Sequence, residues 1–147
     1  MNVKIEYKPF YFKTSLSWQD EQRGVVSAEG RPDIRAASPA KKYQDRWTPE
    51  HFLVASVDIC LMIIFTSLAE RDGISLLAYT SEAEGTFERK KEVYQFTKIV
   101  VRPHITIGAQ KDKDKALHAI KEAERRCPLA ESVKAEIVVK PTVLVKK

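Results

Sequence analysis

The chain has 147 residues, of which 44% are hydrophobic and 31% charged, the make-up of a soluble globular protein long enough to bury a core in one domain, residues 1–147. The net charge of +5 is spread rather than clustered: lysines alternate with acids in KKEVYQFTK and KDKDKALHAIKEAERR, the pattern of solvated faces. Neither a GXXG loop nor an RNP-type aromatic motif is present, so a nucleic-acid partner is not expected.

In chain order, Val3, Ile5 and Tyr7 alternate with Lys4, Glu6 and Lys8, which predicts a half-buried strand extended by Phe10, Tyr11 and Phe12. Leu16 to Trp18 leads into the polar turn Gln19–Gln22, and Arg23–Ala28 reads as the return strand. Glu29 to Trp47 is a long loop with a short strand at Ile34–Ala36. Thr48 then offers a cap, Pro49 suits the first helical position, and Glu50 lies in the first turn, where the dipole favours an anion. From Phe52 to Ala69 the only charge is Asp58, so this helix is apolar nearly all round and is expected to be buried, with Asp58 satisfied by a buried partner. The run approaches the ~18 residues of a membrane span, but the mid-run Asp58, the preceding Glu50 and His51, and strand-like flanks argue for a core helix. Asp72-Gly73 ends it.

Beyond the helix, Ser75–Ala83 reads as a strand, Gly85–Lys91 as a turn, and Val93–Ile107 as a strand bent at Pro103. Asp112 to Arg126 has helical spacing at Ala116, Leu117, Ile120 and Ala123. Cys127-Pro128 closes that helix and opens a short one, and Val133–Val145 is a last strand bent at Pro141. The expected class is α+β. A helix apolar on every side needs cover on every side, so a second sheet, supplied by a partner subunit, is implied.

Two cysteines without a visible secretory signal fit a reducing compartment, the cytoplasm. With Pro128 at N1, Cys127 would occupy an N-cap, where backbone N–H groups and the helix dipole favour a thiolate. Cys60, mid-helix among apolar residues, should hold its proton and be inert unless something cationic reaches it. Read singly, either cysteine is most simply a small buried hydrophobe. His51, His104 and His118 lack ligand spacing with the cysteines, so neither a metal site nor a cofactor is expected.

Together the motifs say more. TPEHFLVASVDICL resembles the Pro-Glu…(apolar)…Cys helix of the OsmC/Ohr family of thiol-dependent hydroperoxide reductases, and RRCPLAES resembles its second, Cys-Pro motif. The order and spacing of elements match over nearly the whole chain. The resemblance implies an intertwined homodimer with antiparallel sheets around two helices and active sites at the subunit interface. It further implies that Cys60 is the peroxidatic thiolate attacking an organic hydroperoxide, and that Cys127 resolves the sulfenic acid as a Cys60–Cys127 disulfide reduced by an external dithiol. An arginine, best matched by Arg23 with Arg31, Arg35 and Arg46 as alternatives, would activate the thiol and be held by Glu50. The Gly-Gly-Arg context of the Ohr branch is absent, so the match leans towards OsmC or a divergent relative.

Glu50 and Cys60 are ten residues apart, about 15 Å along a helix, so Glu50 cannot serve the thiol of its own helix. Glu50 and Arg23 would instead act on Cys60 of the partner subunit. The apolar residues around Cys60 (Phe52, Ser56, Ile59, Ile63 and Ile64) would be core, some walling a pocket for an organic peroxide. The alternative is a non-catalytic protein of the same fold that binds a small apolar ligand.

Overall fold

The computed structural model of the chain describes residues 7–147, which divide into two compact units between Pro49 and Glu50. In the first, strands β1 (Ser15–Asp20), β2 (Arg23–Ser27) and β3 (Ile34–Ala37) form an antiparallel sheet in that order. The β1–β2 turn tightens to Glu21-Gln22, with Glu21 at φ 45°. Tyr43, buried within a single 3₁₀ turn (Lys41–Tyr43), donates its hydroxyl to Glu21 Oε2 at 2.5 Å and so ties the long loop back to that hairpin. The strand expected around Tyr7 to Phe12 is not formed. Those residues have no regular structure and their aromatic rings are exposed, because no neighbouring strand pairs with them; Val3 and Ile5 lie outside the described residues.

The second unit begins with helix α1 (Pro49–Arg71). It ends as Asp72-Gly73 predicts: Gly73 sits at φ 66°, its N–H donates to Glu70 O, and Ile74 N–H donates to Ala69 O at 2.9 Å, a Schellman closure. Strands β4 (Leu76–Lys90) and β5 (Val93–Ile107) then form one long hairpin. The turn expected at Gly85–Lys91 is strand instead, and the chain reverses at Lys91, which adopts φ 56°. Gly85 is present for a different reason. A Cβ there would lie 2.5 Å from the Phe96 ring and 2.7 Å from Val54 Cγ2, so glycine lets the helix approach the sheet.

Helix α2 (Lys113–Arg126) crosses over from β5 to β6 (Glu136–Val139), after which β7 (Thr142–Val145) follows. The last strand is therefore two, split at Lys140-Pro141, and both run parallel to β5, so this sheet is mixed rather than antiparallel. Pro103 is tolerated inside β5 because β6 pairs with Lys98–Val101 and β7 with His104–Ile107, leaving it opposite the break.

One core gathers Val57, Leu61, Phe65 and Leu68 of α1, the alternating Ile99, Val101, Ile105 and Ile107 of β5, and Ala116, Ala119, Ile120 and Ala123 of α2. Leu117, expected inside, is partly exposed and Ala119 takes its place. The buried stripe of α1 is that of a core helix in a globular domain, although the helix is long and apolar enough to cross a membrane. Burial is one-sided, however. Ile59 and Ile63 remain 55% and 53% exposed, so the uniform burial expected of α1 is not reached within one chain. A single sheet covers about half of a helix's circumference, and four apolar residues per two turns lie beyond it.

Candidate active site

Cys60 lies half-buried near the middle of α1, and Cys127 lies 1% exposed at the junction of α2 with the short helix α3 (Pro128–Glu131). Local sequence sets the second position. Pro128 disfavours helical geometry in the residue before it, and Cys127 adopts φ −69°, ψ 107°, ending α2 and serving as N-cap of α3. The fold brings the two together: the Cys127 thiol hydrogen-bonds with Cys60, and neither is in a disulfide.

The N-cap position does not make Cys127 a ready thiolate, contrary to the sequence expectation. Burial pushes its thiol up, and donation towards Cys60 adds to the rise. The Leu129 and Ala130 N–H groups pull the other way, but no capping hydrogen bond closes onto the sulfur. At 1% exposure the cost of desolvating a thiolate outweighs two backbone dipoles.

Glu50 is in the first turn of α1, and its Oε2 is buried with no hydrogen-bond partner. A carboxylate oxygen in that state asks for a cation. Asp58 has found its partner, as expected: Ser81 Oγ on β4 donates to Oδ1 at 2.7 Å. Because that proton is committed to Asp58, the neighbouring Tyr79 hydroxyl is buried without a partner. Burial, with the Asp58 charge beside it, pushes Tyr79 up to about 12 against a weak opposing pull from Ser81. These three residues line a cleft of about 290 Å³ with Ala55, Ile59 and Met62, and Cys60 is not in its wall. Tyr79 and Ser81 were missed in the sequence. The signal was there, since strand alternation puts both on the face of β4 that looks towards α1.

In the first unit, the Arg23 guanidinium is gripped by Asp20 through Nε at 2.6 Å and Nη2 at 2.5 Å, and it lies 5.8 Å from the Tyr43 ring centre. It also lines an apolar cleft of about 340 Å³ with Leu16, Trp18 and Ala37. Of the alternatives, Arg35 pairs with Asp45, Arg31 donates to Glu29 O, and Arg46 donates to Gln19. Among the described residues, no three His, Cys, Asp or Glu side chains group closely enough to hold a metal.

The family model for OsmC-like proteins matches residues 42–142. The chain belongs to the OsmC-like family. The OsmC-like protein of unknown function from Vibrio cholerae has the same fold at a TM-score of 0.83, with 20% identity, covering 91% of this chain and all of that one. An organic hydroperoxide resistance protein from Elizabethkingia anophelis superposes at 0.70 with 17% identity, covering 96% of this chain and 100% of its own. In sequence, the uncharacterized protein YmaD of Bacillus subtilis is 24% identical over 134 residues, 87% of this chain and 88% of that protein. The matched segment of this OsmC-like chain contains Glu50, Cys60 and Cys127, and Arg23 lies before it.

Proposed function

We propose that this OsmC-like protein is a thiol-dependent peroxidase that reduces organic hydroperoxides through Cys60 and Cys127. The observation that carries the reading is the hydrogen-bonded contact between two free thiols that lie far apart in sequence. A Cys60 thiolate attacks the distal peroxide oxygen, the alkoxide leaves with the O–O electron pair, and the sulfur becomes a sulfenic acid. Cys127 displaces water from it to form a disulfide, and an external dithiol returns two electrons and two protons. No bound metal or organic cofactor takes part.

The working unit is a homodimer in the cytoplasm. Its support is the exposed pair Ile59 and Ile63 on the apolar α1, which a second copy would cover. Glu50 and Arg23 act across that interface on Cys60 of the partner subunit, the buried unpartnered Oε2 of Glu50 holding the guanidinium. Subunits carrying Glu50→Ala or Arg23→Ala, mixed with Cys60→Ser subunits, then recover part of the activity in heterodimers. No recovery counts against action across the interface.

The decisive experiment is free-thiol titration before and after one equivalent of cumene hydroperoxide. Loss of both thiols to an intramolecular disulfide supports the peroxidase. Two unreacted thiols remove it and leave a protein of this fold that binds a small apolar ligand.

A further inference from the structure

We infer that Cys127 is a positioning and activating residue as well as a resolving one: in the reduced protein its S–H donates to Cys60, and the two sulfurs hold one proton between them. This rests on the reading of Cys60 as the attacking sulfur.

Cys127 is 1% exposed, whereas Cys60 is half-buried, and their side chains are in hydrogen-bond contact. Two adjacent sulfurs cannot both ionise without like-charge repulsion, so the pair loses its protons in two steps. The first negative charge settles on the sulfur nearer water, and the buried one keeps the second proton and gives it as a hydrogen bond. A donor to the charged form stabilises that form. Cys60 has no other helper on its own helix: Asp58 is turned to Ser81 on β4, and Glu50 is about 15 Å upstream. On the elements that carry Cys127, the charged groups are Arg125 and Arg126 at the end of α2 and Glu131 on α3. Arg126 is occupied by Glu122 at 2.7 Å. The ionisable side chain that acts on Cys127 is Cys60 itself.

The arrangement also balances the second chemical step. When the Cys127 sulfur attacks the Cys60 sulfur of the sulfenic acid, the S–O bond breaks and the hydroxyl leaves with its electron pair. The proton that Cys127 held converts it to water, and one disulfide results. The Leu129 and Ala130 N–H groups beside the sulfur favour its negative charge as that proton departs.

The test uses reduced protein without peroxide. Thiolate absorbance in the ultraviolet and the iodoacetamide rate at Cys60, mapped by peptide mass, are followed against pH in wild type, Cys127→Ala and Cys127→Ser. Loss of the donor in Cys127→Ala moves the half-maximal pH for Cys60 reactivity upward by about one unit, so alkylation below it slows about tenfold. Cys127→Ser, which keeps a donor, recovers most of the shift. If Cys127→Ala folds poorly, Cys127→Val is near in size, cannot donate, and gives the same upward shift. An unchanged or lower midpoint in the alanine or valine variant overturns the inference. Hydroperoxide turnover is scored separately in wild type. Turnover with no shift sinks the shared proton and leaves the peroxidase, whereas a shift with no turnover sinks the peroxidase alone.

Discussion

Ser81 on β4 donates its hydroxyl to Oδ1 of Asp58 on α1 at 2.7 Å, and this bond satisfies the only charge in the apolar run of the helix. Ser81→Ala leaves that half-buried carboxylate without a donor, at a cost of about 1–3 kcal/mol. Asp58→Asn keeps the contact and costs less than Ser81→Ala. Urea unfolding of the two variants beside wild type gives the order, and equal stabilities would show that the bond contributes nothing.

Tyr79, next to this pair, titrates at about 12 in the folded chain, above the usual phenol value. A raised folded value means the neutral form is the one the fold prefers. The stability it supports is complete below about pH 10, the unfolded phenol value, and is lost as pH rises towards 12. Denaturant midpoints should fall across that window in wild type and fall less in Tyr79→Phe. Because the lost hydroxyl has no partner, Tyr79→Phe should unfold like wild type at neutral pH.

Gly85 meets the Phe96 ring and Val54 at distances no Cβ tolerates. Gly85→Ala should lower stability by about 1–3 kcal/mol. Trimming the obstacle, as in Gly85→Ala with Val54→Ala, should give a thermal midpoint above the sum of the two single losses, since residues in contact couple. Simple additivity would deny the contact.

Glu50 keeps a buried oxygen without a partner, the state of a group held for function rather than for stability. Glu50→Gln should therefore unfold no more easily than wild type while hydroperoxide turnover falls about tenfold or more. Unfolding and turnover measured on one preparation decide it; full activity in the variant removes Glu50 from the site.

Ile59 and Ile63 stand on the uncovered side of α1. Ile63→Arg should turn dimers into monomers in sedimentation equilibrium and lose turnover with them. A monomer that remains fully active argues against action across an interface.

The sequence by itself determined the local structure. α1 begins at Pro49 and closes at Gly73, α2 ends at Cys127 because Pro128 follows, and the period-2 runs give the hairpin. Each follows from backbone sterics or side-chain period within a few residues. It also supplied both cysteines and the family. Where it failed, the deciding contact was distant. Gly85 reads as a turn residue until Val54 and Phe96 are set against it, and Tyr7 to Phe12 read as a strand with no partner to pair with. The parallel pairing of β6 and β7 depends on the α2 crossover, which no local pattern encodes. Cys127 shows the same division: Pro128 fixes its backbone, but burial in the packed core reverses the thiolate preference that its N-cap position predicts. Only the tertiary structure brings its thiol to Cys60, because that contact joins residues whose separation in sequence carries no record of their distance.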